Sequence, residues 1–281
     1  MSRQDRPIKS RGDRGPASPL DIAVRERDKK TLDMVAKALQ YKEAMLAFQP
    51  VVLGNRPKQP AFYEGLIRVL DATGRIIPAK DFINTIENTE IGRLVDCLSL
   101  ELGLRNLKID PSLRISINMS ARSIGYKKWL ATLEDGLREQ PEIAERLILE
   151  ITESSAMLMP ELVTSFMGDM QRKGICFALD DFGAGYTAFR YFRDFFFDII
   201  KIDQQFIQGI HQDADNQVLV SALLSIGKHF DMLTVAEGIE SREDALYLID
   251  QGVDCLQGYF FGVPSVKAPW HTEKTKNLHR A

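Results

Sequence analysis

The sequence holds little histidine and cysteine: four and three residues respectively in 281. Cys97, Cys176 and Cys255 form no Cys-x-x-Cys pair and sit in apolar patterns, which excludes a zinc finger or a disulfide framework and reads as reduced core thiols. His211, His229, His271 and His279 are dispersed, so chemistry here must run on carboxylates, amides and lysine rather than on a histidine-based triad. No apolar run approaches the length of a membrane span, and the first residues are charged where a secretory leader is apolar. The expectation is a soluble, cytoplasmic protein with no membrane contact. Neither charge dominates: 36 basic against 39 acidic residues give a net charge of -3, which offers no reason to expect nucleic acid as a partner.

What is present is ample apolar material, 44% of the chain, enough for one large domain or two small ones. Residues 1–20 are polar, basic and rich in Gly, Pro and Ser, and read as a disordered tail. Residues 21–45 carry Leu32, Val35, Ala36 and Leu39 at helical spacing and read as an amphipathic lead-in helix. The main domain is expected over 46–266, with a C-terminal tail over 267–281.

The stretch from Cys176 to Asp203 organises the rest. An apolar strand, Cys176 to Leu179, runs into Asp180 and Asp181 and a Gly-x-Gly turn. Adjacent acids at a strand end raise each other's pKa, so a cation between them makes the best physical sense; a solvated turn is the alternative. A helix is expected over 186–193, then a strand from Ile199 that places Lys201 and Asp203 on one face. Lys201 can therefore reach the acids or snorkel to solvent.

Further strands are read over 46–52, with a turn over 55–59, then over 61–70, 115–120, 147–153, 233–238 and 255–258, alternating with helices over 160–170, 216–230 and 242–251 and two helices within 78–106. Glu64 and Arg68, four apart on one strand, share a face, as an anion or metal site or as an internal ion pair. The strand-helix beat, repeated about eight times, argues for a mostly parallel α/β barrel. Asn118, Glu150, Asp180, Asp181, Lys201, Glu237 and Gln257 all fall at strand C-termini, and in a barrel such residues converge on one mouth.

Glu64-Gly65-Leu66 with Arg68, Asn118-Met119-Ser120, Glu150-Ile151-Thr152-Glu153, Asp180-Asp181-Phe182-Gly183, Lys201-Ile202-Asp203, Ala236-Glu237-Gly238-Ile239-Glu240 and Gln257-Gly258-Tyr259 closely resemble, in order and spacing, the EAL-domain cyclic di-GMP phosphodiesterases. The resemblance covers about residues 30–266 and implies a modified (β/α)8 TIM-type barrel with one antiparallel strand. It implies cleavage of cyclic di-GMP to linear 5'-pGpG with two Mg2+ or Mn2+ ions. The first ion would be held by Glu64, Asn118, Glu150 and Asp180, and the second by Asp180, Asp181 and Glu237. Lys201 matches the family's catalytic lysine, with Asp181 and Glu237 counted as catalytic beside it. Gln49, Arg68 and Gln257 match substrate-orienting positions, and Glu153 and Glu240 match acids that hold the site's loops. Hard oxygen donors without thiol or imidazole agree with Mg2+ or Mn2+.

Several positions depart from the family pattern. Gly65 replaces the signature alanine and is expected to loosen its strand, Val69 stands in an aromatic position, and Ala184, Thr187 and Phe195-Phe196 alter the loop and the approach to the next strand. The alternative to turnover is a barrel that binds cyclic di-GMP as a receptor or binds a protein partner. Tyr186, Phe189, Tyr191, Phe192 and Phe195 to Phe197 supply an aromatic surface suited to a homodimer. The input signal would come from a separate sensor or signalling protein.

Overall fold

The computed structural model describes residues 19–183, 195–268 and 270. Helix α1 (Pro19–Gln40) leads into an antiparallel hairpin, β1 (Ala44–Leu53) and β2 (Arg56–Leu70). The short β3 (Ile76–Pro78) and α2 (Ile83–Ile86) precede the long α3 (Glu90–Ile109). The remainder alternates: β4 (Ile115–Asn118), α4 (Lys127–Glu139), β5 (Leu147–Thr152), α5 (Glu153–Ala156), α6 (Pro160–Gln171), β6 (Cys176–Phe182), β7 (Ile199–Ile202), α7 (Ala214–His229), β8 (Leu233–Ala236), α8 (Arg242–Asp250) and β9 (Cys255–Gln257).

Strands β2, β4, β5, β6, β7, β8 and β9 pair in parallel in that order. The reversed β1 pairs antiparallel with both β2 and β9 and closes the ring. β3 is an extra strand on the edge of β2. This is the modified (β/α)8 barrel with one antiparallel strand that the sequence led us to expect.

Side chains alternate along each strand, so every strand offers one row to the interior and one to the helices. The outward row packs against the helical layer in one large core that includes Ile117, Leu149, Ile151, Phe177, Leu179, Ile200 and Ile202. The inward row forms a second cluster, Val51, Phe62, Ile148, Ala178, Ile199, Val235 and Cys255. Each of these seven lies two residues from a polar residue of the site, on the same strand or, for Val235 and Glu237, just past its end, so the apolar layer floors the mouth.

Four local expectations are corrected. The hairpin turns tightly at Gly54-Asn55, and Arg56 to Gln59, expected as turn, extend β2; their exposure is why they read as loop. Of the two helices expected within 78–106, the first shrinks to the four residues of α2. α1 is already helical at Pro19 and ends at Gln40, five residues short of the expected 45. Trp270, in the stretch read as a tail, is buried edge-on against Phe48 and Tyr63, at ring separations of 4.6 and 5.2 Å. The expected helix over 186–193 and the departures at Ala184 and Thr187 lie outside the described residues.

Candidate active site

Each of the eight barrel strands delivers one polar side chain inward: Gln49 on β1, Glu64 on β2, Asn118 on β4, Glu150 on β5, Asp180 on β6, Lys201 on β7, Glu237 just past β8 and Gln257 on β9. Polar residues that each meant little alone thus become one cluster, as the barrel topology requires.

Lys201 is its centre. The side chain is 1% exposed, and Nζ lies 2.7 Å from Glu150 Oε2, 2.7 Å from Glu237 Oε1, 2.9 Å from Asp180 Oδ1 and 3.4 Å from Glu64 Oε2. The snorkelling alternative is thereby excluded. Burial alone would push the ammonium pKa down, but the four acids together hold it well above the ordinary lysine value. Glu64 also accepts hydrogen bonds from Asn118 Nδ2 at 2.8 Å and Gln257 Nε2 at 2.6 Å. Its burial is outweighed by Lys201 and these donors, so its pKa falls below the usual carboxylate range. Glu150 is pushed up to about 8 by burial and by Glu64, and Glu237 is raised well above its ordinary value, chiefly by burial.

The second group is Asp180, Asp181 and Glu237, whose carboxylate oxygens lie within 4.8 Å of one another. Asp181 sits at φ +55, the left-handed region that costs a non-glycine residue, so its position is held by surrounding structure rather than chosen by the backbone. Burial, Asp180 and Asp203 raise its carboxyl to about 6.

The residues fit a divalent cation. Among the described residues, Glu150 Oε1 and Gln257 Oε1 are buried without a hydrogen bond, and unsatisfied buried oxygens are costly unless something else meets them. All donors are oxygens, the set that hard cations prefer.

A cleft of about 290 Å³ opens above the cluster, lined by Gln49, Glu64, Asp181, Glu237 and Gln257 and also by Asp203 and Tyr259. Asp203 lies two residues after Lys201, and Tyr259 two after Gln257, so the same two-residue period that found the strand ends could have assigned both to the site. A larger cavity, about 790 Å³, lies around residues at the opposite strand ends such as Arg114, Cys176 and Cys255. The acids mark the mouth as the chemical site, not cavity size.

Arg68 is half-buried, donates from Nη1 to Ile67 O at 3.0 Å, and forms no ion pair with Glu64 among the described residues. The internal-pair reading is therefore excluded, although burial lowers its pKa and the fields of Glu64, Tyr259 and Asp81 oppose that. Glu153 is buried and accepts from Gly183 N at 3.2 Å, tying the end of β5 to the loop that carries the two aspartates. Glu240 is exposed and lines the rim of the cleft, and it makes no hydrogen bond or ion pair among the described residues.

The departure at Gly65 is also corrected. The strand is not loosened there, because Ile117 on the neighbouring β4 fills the space a Cβ would take. Val69 is wholly buried in the outer core.

Fold and site together define a (β/α)8-type barrel whose mouth carries a lysine ringed by acids. The chain belongs to the EAL domain family, whose pattern it matches over residues 32–264. It is 30% identical over 251 residues to the uncharacterized protein y4lL of Sinorhizobium fredii, covering 89% of this chain and 30% of that protein. It is 28% identical over 235 residues to the probable cyclic di-GMP phosphodiesterase PdeN of Escherichia coli, covering 82% of this chain and 45% of that protein. The chain thus spans less than half the length of either relative. The structure described as the PaMucR phosphodiesterase in complex with c-di-GMP superimposes with a TM-score of 0.76 at 26% identity, over 84% of this chain and 97% of that one.

Proposed function

We propose that this chain is a metal-dependent phosphodiesterase that hydrolyses cyclic di-GMP to linear 5'-pGpG. The observation that carries the reading is the convergence of Glu64, Glu150, Asp180 and Glu237 on the buried Lys201, in a member of a family with relatives named for this activity.

Glu64, Asn118, Glu150 and Asp180 would hold one ion, and Asp180, Asp181 and Glu237 a second, with Mg2+ or Mn2+ the matching choices for an all-oxygen set. When bound, such a pair supplies charge neutralisation at the phosphate and an acidified water. Lys201, fixed among the acids, steadies negative charge that develops on the phosphoryl oxygens. Asp181 and Glu237 would hold their ion as carboxylates, and an oxygen of either not engaged by the ion can accept a proton at the same place. Arg68 presents a planar fork to a phosphate oxygen, and Gln49 and Gln257 orient the substrate from β1 and β9.

The protein is expected to work in the cytoplasm as a homodimer. Phe196 supports that state, being 70% exposed while Phe195 and Phe197 are buried. Phosphorus NMR of cyclic di-GMP incubated with protein and Mg2+ tests the activity. A new phosphomonoester resonance supports it, and unchanged diester with tight binding supports a receptor instead.

A further inference from the structure

Gly65 of β2 is the register partner of Ile117 of β4. A Cβ at position 65 would stand 2.8 Å from Ile117 Cδ1 and 3.3 Å from both Leu46 Cδ1 and Ser116 O. The same isoleucine meets a second glycine: a Cβ at Gly103 of α3 would stand 2.9 Å from Ile117 Cδ1 and from Cγ1. One side chain, 1% exposed, thus fills the room left by two missing Cβ atoms, one on a strand and one on a helix.

Neither glycine is there for its backbone freedom, since neither has a positive φ. Glycine inside a strand or a helix is otherwise unfavourable, so close approach is the physical reason for both. Ile117 has little room to withdraw: its χ1 is stiff, and its outer methyl already lies against Gly103.

The chemistry is one residue away on each strand. Glu64 precedes Gly65 and Asn118 follows Ile117, and their side chains meet inside the barrel at 2.8 Å. Because successive side chains point to opposite faces, the packing of 65, 117 and 103 on the outside fixes the strand spacing at which Glu64 and Asn118 meet on the inside.

We infer that Gly65, Ile117 and Gly103 form one coupled packing unit, and that Ile117 is a positioning residue for the Glu64–Asn118 pair. The inference rests on the reading that Glu64 and Asn118 hold a divalent ion. The space a Cβ would take at 65 is then filled by Ile117, and the support of Glu64 is kept.

The test is a cycle of Gly65→Ala, Ile117→Val and the double variant. Mn2+ affinity is followed by electron paramagnetic resonance and thermal unfolding is followed without metal. Gly65→Ala should weaken Mn2+ binding by about tenfold or more, the usual effect of disturbing a ligand's support, and lower the melting temperature. Valine lacks the methyl that meets the new Cβ, so the double variant should recover Mn2+ affinity to within about threefold of wild type. Ile117→Val alone, which removes the methyl that fills the space beside Gly65 and Gly103, should melt lower and weaken Mn2+ binding by a few fold, less than Gly65→Ala does. Additive losses, or wild-type Mn2+ affinity in Gly65→Ala, overturn the inference. If Gly65→Ala does not fold, a folded, Mn2+-binding double variant supports the unit and an unfolded one overturns it. A wild type that binds no Mn2+ removes the metal reading and with it the positioning role, while the melting cycle still decides the packing.

Discussion

Lys201 Nζ and Glu150 Oε2 lie 2.7 Å apart with both side chains at most 1% exposed. A pair so deeply buried is stable only while both members are present, because removing one leaves the other without its counter-charge, to stay charged at a cost or to change its protonation.

Lys201→Ala therefore has two separable effects. Without metal it should lower stability by about 3–5 kcal/mol, the usual result of breaking a buried pair, and added Mg2+ or Mn2+ should raise its melting temperature more than that of wild type. With metal, substrate affinity should stay within a few fold while turnover drops by about two orders of magnitude, since the lysine acts on charge developing in the transition state. Calorimetry and initial rates read the two separately. A variant that melts like wild type without metal would show that the lysine is not balancing the acids.

Gly258 sits where the loops after β8 and β9 touch. A Cβ there would stand 2.0 Å from Ile239 O, and that backbone is pinned, with Ile239 N donating to Gln257 O at 3.0 Å and Phe260 N donating to Ile239 O at 3.1 Å. Gly258→Ala should cost about 3 kcal/mol and abolish turnover by displacing Glu237 and Gln257. A variant with wild-type stability by urea unfolding contradicts this.

Asp96 gives a pH dependence away from the mouth. Its carboxylate accepts from Ser120 N at 3.0 Å and Ser123 Oγ at 2.5 Å, tethering the loop after β4 to α3. Burial raises its pKa to about 6 despite those donors. A folded-state pKa above the unfolded value of an acid means that the native state holds the proton more tightly. This group's contribution is therefore full below about pH 4, falls by about 3 kcal/mol as pH rises to about 6, and is level above that. Asp96→Asn should flatten that segment of the stability curve measured by urea unfolding at each pH. An unchanged slope in the variant would remove Asp96 as its source.

Phe196 is the exposed member of its aromatic trio. Phe196→Ser should shift a homodimer to monomer by light scattering at micromolar concentration and weaken catalysis with the fold retained. Phe195→Ser should instead damage the core, where its ring lies 5.6 Å from that of Phe197. A wild type that is monomeric and keeps full specific activity on dilution ends the dimer proposal.

The ring of site residues was legible because a barrel converts a simple rule, polar residue at a strand's end, into spatial convergence. Lys201 shows the limit. Its position on β7 was readable from Ile199 to Ile202, but the choice between snorkelling and burial depends on four acids from four other strands. The contact of Ile117 with both Gly65 and Gly103 is through space, so glycine at 65 read as a loosened strand. α4, with Trp129 and Leu133 buried at helical spacing, carried a signal the reading of the sequence passed over. Trp270 was hidden for another reason: a single aromatic in a charged stretch has no periodicity to announce its burial.

The most direct measurement is the initial rate of linear pGpG formation from cyclic di-GMP, followed by chromatography, with Mg2+, Mn2+ or Ca2+ as the sole divalent ion. Ca2+ prefers longer bonds and more ligands than this cluster offers, so pGpG should form with Mg2+ and Mn2+ and not with Ca2+. Tight binding of cyclic di-GMP with no pGpG under either Mg2+ or Mn2+ would contradict the phosphodiesterase reading and leave a receptor.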